Sequence, residues 1–198
     1  MSFSTELGPA LPELEPALTA VAISGSPSGS SKSKRLLSAA VRSLRLNGVS
    51  ATEIDLSALP AEALLGRYRS EAIDVALAAT ANARIVVAST PVYRASYSGL
   101  LKVFFDLLRA DSLTRAVAIP IATGGAPGHQ LVLDHALRPL FGSLGATVVP
   151  TGIYGTDSQF TGGEPHPALV QRIDRAVHEA LALAGATNPS LSTTTLER

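Results

Sequence analysis

The chain contains no cysteine, which removes disulfides, thiolate catalysis and cysteine-based metal sites together. It has no excess of either charge, because 16 basic residues balance 16 acidic ones. The electrostatic footprint for duplex DNA or an anionic membrane is therefore missing, and nucleic acid is not an expected partner. No apolar run approaches the roughly 20 residues that cross a bilayer, so no membrane association is expected. The opening "MSFSTELGPALPELEPAL" carries acids and prolines where a signal peptide needs a basic segment and then an apolar one. The compartment defaults to the cytoplasm. Two nucleotide signatures are also lacking. No G-x-G-x-x-G is present, and a Walker loop ending in Lys32-Ser33 would need glycines where the chain has Ser26 and Ser31. The run "RIVVAST" likewise ends without the aspartate that supports Mg²⁺ in a nucleotide hydrolase.

What is present is apolar and regularly spaced. Hydrophobic residues make up 46% of the 198 and charged residues 16%, enough to bury the core of one α/β domain. Strands are expected at 20–24, 49–55, 83–90, 115–123 and 146–154. Helices are expected from Lys32, in a segment ending near Ala81, and at 98–109, 128–145 and 167–183. Strand-helix alternation of this kind predicts a doubly wound, five-stranded parallel sheet in a single domain. Residues 1–19 read as a disordered leader, 20–184 as the domain and 185–198 as a flexible tail.

In such a sheet, ligands sit beyond the carboxyl ends of the strands. Those ends carry "SGSPSGSSKS", "STPVYRASYSG", "ATGGAPGH" and "GTDSQ". The first loop opens a helix, so backbone N–H groups and the positive helix end favour an anion, with Ser26, Ser28, Ser31 and Ser33 adding hydroxyl donors. Hydroxyls converging on a single terminal phosphate point to a mononucleotide such as FMN. Pro91, Val92 and Tyr93 offer rigid surface for a flat ring, and Thr123, Gly124 and Gly125 let main chain approach a ring edge.

Together "GSPSGSSKS", "STPVYRASYSGLLKVFFDLL", "ATGGAPGH" and "LDHALRPLF" resemble the NAD(P)H-dependent FMN reductases of the flavodoxin-like fold. The nearest branch supplies reduced flavin to two-component monooxygenases such as those acting on sulfonates. The resemblance implies a homodimer or homotetramer, with NADPH or NADH as co-substrate and a flavin-dependent monooxygenase as partner. It places the FMN phosphate on Ser26, Ser31 and Ser33, and the ring against Pro91, Val92, Tyr93 and Arg94, near Thr123, Gly124 and Gly125. Relatives often have arginine where this chain has Ser28, with Lys32 available to substitute, and many have tyrosine where this chain has His135. Hydride transfer to flavin N5 needs no protein acid or base, so no catalytic residue is named. A quinone or azo reductase on the same scaffold is the alternative enzyme. A flavodoxin-like electron carrier is the non-enzymatic one, and the balanced charge argues against it.

His129 either lines the flavin pocket or caps its helix. His129 and His135 are six residues apart, a spacing that does not stack side chains for a metal. Pro139 has no N–H, so the carbonyl of His135 loses its usual helical donor. Geometry alone leaves a plain kink and a π-type bulge equally open. The resemblance favours the bulge, with His135 at a subunit interface beside the flavin.

Overall fold

The structure, a computed structural model, describes residues 18–186. The expected leader and tail lie outside the described residues, apart from 18–19 and 185–186. β1 (Thr19–Ser24) runs between β2 (Ser50–Asp55) and β3 (Ile85–Pro91), and β4 (Val117–Gly124) follows β3. Every pairing in this sheet is parallel, and the order β2-β1-β3-β4, with the last strand beyond β4, makes it flavodoxin-like.

The apolar runs are continuous because the sheet is covered on both sides. Val21, Ile23, Val86 and Ala88 face one layer, formed by α2 (Ala61–Leu64), α3 (Glu71–Asn82), α4 (Gly99–Asp106) and α5 (Arg138–Ser143). Ala20, Ala22, Ile85 and Val87 face the other, formed by α1 (Lys32–Leu46) and α6 (Pro167–Ala186). An edge-to-face contact from Phe105 to Phe141 (5.6 Å) joins α4 to α5, and within α4 Phe105 meets Phe104 edge to face (5.9 Å).

Three expected elements differ. The helix expected to reach Arg109 ends at Asp106, because the N–H groups of Leu107 and Leu108 tighten onto the carbonyls of Phe104 and Phe105. The expected fifth strand is two pieces, β5 (Thr147–Val148) and β6 (Ile153–Thr156), both paired to β4. Pro150 has no N–H for the ladder, and Thr151 turns its N–H (2.8 Å) and Oγ1 (2.7 Å) to Glu179 of α6. The expected helix 128–145 is a tight turn at Pro127–Leu131, a wide π turn at Leu133–Leu137, and then α5. A hairpin that the sequence did not announce, β7 (Phe160–Thr161) with β8 (Glu164–Pro165), follows β6.

Candidate active site

The serine loop leaves β1 at Gly25. A Cβ there would lie 2.7 Å from Leu101 Cβ, so glycine is what lets α4 pack against the strand end. Ser26 is buried, and its Oγ accepts the N–H of Ser28 at 3.2 Å, closing a small turn. Ser31 is the N-cap of α1. Its Oγ accepts the N–H of Ser33 at 3.2 Å and lies 2.7 Å from Ser33 Oγ. Two hydroxyls and the first N–H groups of a 15-residue helix thus converge on one point. Ser28 stands exposed on the rim. Lys32 turns sideways to Asp157, Nζ to Oδ1 2.7 Å, and lies 5.7 Å above the centre of the Phe160 ring.

The second loop is tied to the first by Ser98, whose buried Oγ donates to the carbonyl of Gly25 at 2.5 Å and accepts the N–H of Leu101. Between Tyr93 and Ser96 the chain reverses in two residues, each of the pair bonding the other's backbone, with Arg94 (φ 50°) and Ala95 (φ 62°) in the left-handed region. Such a turn favours glycine or asparagine, so strain is stored at this tip. Tyr93 is 50% exposed on it, next to half-buried Pro91 and Val92.

The third loop meets the second where the Val92 N–H donates to the Thr123 carbonyl at 2.7 Å. Thr123 is buried, whereas Gly125 and His129 are exposed. A Cβ on Gly124 would stand 2.5 Å from the Tyr154 hydroxyl, 3.3 Å from Val92 Cβ and 3.4 Å from His129 Cβ. Tyr154 in turn donates to the carbonyl of Ala126 at 2.6 Å. Burial and then the nearby Asp157 carboxylate push the Tyr154 phenol pKa up, so it stays protonated and able to donate. His129 caps nothing through its side chain: Ala126 precedes the turn, and His129 donates only its backbone N–H there.

The loops after β1, β3, β4 and β6 therefore form one ring at the carboxyl end of the sheet, and that ring gathers the expected residues from Ser26 to His129. His135 and Pro139 stand apart from it, exposed on the π turn and the start of α5. The turn is of the wide type, since the N–H of Arg138 reaches back five residues to the carbonyl of Leu133. His178 faces solvent, with Nδ1 2.7 Å from the Asp174 carbonyl. His166 Nδ1 accepts the N–H of Ala168 at the start of α6. Among the described residues no cluster of His, Asp and Glu has the geometry to hold a metal ion.

Two contributors escaped the sequence reading. Ser98 was visible as a hydroxyl before an apolar helix, a recognised start signal. Tyr154 could be found only through a contact distant in sequence, and Asp157, in the expected loop "GTDSQ", is brought to Lys32 by another.

Residues 18–161 match the family described as NADPH-dependent FMN reductase. An FMN reductase (NADPH) of Pseudomonas putida is 38% identical over 164 residues, covering 81% of this chain and 83% of that one. The NADH-dependent FMN reductase SfnF of Pseudomonas fluorescens is 41% identical over 133 residues, 65% of this chain and 70% of that one. The crystal structure of apo NADH:FMN oxidoreductase (EMOB) superposes with a TM-score of 0.79 at 35% identity, covering 88% of this chain and 93% of that one. A flavodoxin, WrbA-like protein from Agrobacterium tumefaciens, at 18% identity and a TM-score of 0.61, shares the fold. On this evidence the chain belongs to the NADPH-dependent FMN reductase family.

Proposed function

We propose that this protein is an NAD(P)H-dependent FMN reductase that supplies reduced FMN to a flavin-dependent monooxygenase in the cytoplasm. The observation that carries the reading is the pairing of a serine-capped helix start with a glycine loop at the carboxyl end of one flavodoxin-like sheet. FMN fits the donor set: the Ser31 and Ser33 hydroxyls stand 2.7 Å apart beside helix N–H groups, and Gly124 and Gly125 leave main chain accessible to a ring edge. When bound, FMN supplies the N5 atom that accepts hydride from the nicotinamide.

The residues of the chain bind and orient. Ser26, Ser31 and Ser33 hold the phosphate, with Ser28 and Lys32 at its rim. Pro91, Val92, Tyr93 and Arg94 form the wall against which the ring lies. Thr123, Gly124, Gly125 and His129 line its other edge, and the Tyr154–Ala126 bond fixes that loop's height. No side chain needs to move a proton to the reacting atom, in keeping with a ring of loops that gathers hydroxyls and main chain. The printed names of the relatives divide between NADH and NADPH, and either serves the same geometry.

The half-buried Leu100, Val103, Leu107 and Leu108 on and after α4 support a homodimer or homotetramer in which such a face is covered. His135 on the π turn would lie in the interface of that assembly and influence FMN retention.

The test is steady-state oxidation of NADH and NADPH with FMN, quinone, azo dye or no acceptor. A rate that rises with free FMN and saturates supports the reading. A rate independent of added FMN but dependent on quinone or azo dye would favour the alternative reductase, and no oxidation of either nicotinamide would favour an electron carrier.

A further inference from the structure

Residues 25–33 contain a single cation, Lys32, and the structure gives it a carboxylate. The neighbouring cations of the first turns of α1 are treated alike: Lys34 pairs with Asp55 at 2.7 Å and Arg35 with Glu164 at 3.1 Å. Three carboxylates from three other segments thus neutralise the helix start that a phosphate would approach.

Asp157 differs from the other two because its partner, Lys32, lies between Ser31 and Ser33 in the chain. It is also firmly presented. The turn that carries it is closed by the Thr156 N–H donating to Gln159 Oε1 at 2.9 Å. The hairpin behind it is clasped to α1 by the Arg35–Glu164 pair, and Phe160 packs against the buried cluster that includes Leu36 of α1. Asp157 itself is 67% exposed and Lys32 39% exposed, so the long lysine side chain is the partner free to move.

We propose that Asp157 sets the affinity for the flavin phosphate, by competing with it for Lys32 and by repelling it once bound, so that FMN leaves the site as a dissociable substrate. The inference rests on the phosphate assignment made above and adds to it a named opponent. A phosphate dianion arriving at Ser31 and Ser33 draws Lys32 from Asp157 and leaves a carboxylate beside two negative charges. The net charge of this corner is then unfavourable, and hydroxyl and N–H donors carry the binding.

The test is fluorescence titration of the full-length protein with FMN and with riboflavin, which lacks the phosphate, at low and high salt. D157N should tighten FMN about fivefold, in line with an exposed ion pair, and raise the FMN-to-riboflavin affinity ratio by the same factor. K32M should lower that ratio, and should lower it further in the D157N background, where the lysine is fully committed to phosphate. A ratio unchanged or lowered by D157N overturns the competition. Loss of the assignment itself reads differently: Ser31→Ala would then leave FMN affinity unchanged, whereas failure of the competition alone leaves the Ser31→Ala effect in place.

Discussion

At the scale of single residues, the serine loop makes the sharpest demands. Ser31 caps α1 and shares a hydrogen bond with Ser33, so if these hydroxyls hold the flavin phosphate as proposed, truncating either one removes a donor to a charged group. Ser31→Ala and Ser33→Ala should each weaken FMN binding by about 1.5 to 3 kcal/mol, measured by fluorescence titration, with the fold retained. Gly124→Ala should be more damaging than its size suggests, because the methyl group would collide with the Tyr154 hydroxyl that supports Ala126. FMN affinity and the near-ultraviolet signal of Tyr154 should change together. Below the loop, Ser24 and Ser89 are register partners on β1 and β3, both buried, with hydroxyls that have no partner among the described residues. An unsatisfied buried hydroxyl costs about 1 to 3 kcal/mol. Ser89→Ala should therefore raise the denaturation midpoint, and a lowered midpoint would show that the hydroxyl is bonded in solution. Much of this scale was legible in the sequence, because cap and glycine rules act over two or three residues. The left-handed Arg94 and Ala95 were not, since nothing in "YRAS" signals the positive φ that the surrounding structure imposes.

At the scale of elements, breaks are set by where backbone donors go. Pro139 made a break in the long helix readable, because it deprives a carbonyl of its donor, but a plain kink fits that rule equally and the π form was expected only from the resemblance. If His135 acts at an interface on that turn, His135→Ala should alter FMN retention on gel filtration or the kinetics of flavin transfer, whereas Ser31→Ala alters affinity. Unchanged behaviour in both would remove His135 from the site. The break between β5 and β6 was missed although Pro150 stands there, because the group that completes it, Glu179, lies 28 residues away. Burial raises the Glu179 pKa, but hydrogen bonds from Thr151 and Arg175 outweigh it and hold it below its usual 4.5. A depressed carboxylate pKa contributes stability that is full above the unfolded value and is lost as pH falls through the folded one. Glu179→Gln should therefore cost about 1 kcal/mol near neutral pH, with the gap to the parent closing below pH 4.5 in urea titrations.

At the scale of the molecule, the sheet order was legible because alternating apolar strands and helices leave few right-handed arrangements. The ring of loops was legible only as a list of strand ends. What joins those ends, Ser98 to Gly25, Val92 to Thr123, Tyr154 to Ala126 and Lys32 to Asp157, are contacts between distant residues that no local pattern encodes. Among the described residues no helix is long and apolar enough to cross a membrane. The half-buried leucines of α4 should be covered in an assembly, and light scattering should give a multiple of the 20.4 kDa chain mass at micromolar concentration. A monomer would require another cover for that face. Production and release of reduced FMN are tested by mixing the protein anaerobically with excess FMN and NADH or NADPH, then passing the mixture through a membrane that retains protein. The expected result is reduced FMN in the filtrate, in amounts far above the protein present and matching the nicotinamide consumed. A filtrate holding only oxidised FMN, with nicotinamide unconsumed or consumed only once per bound flavin, would contradict it.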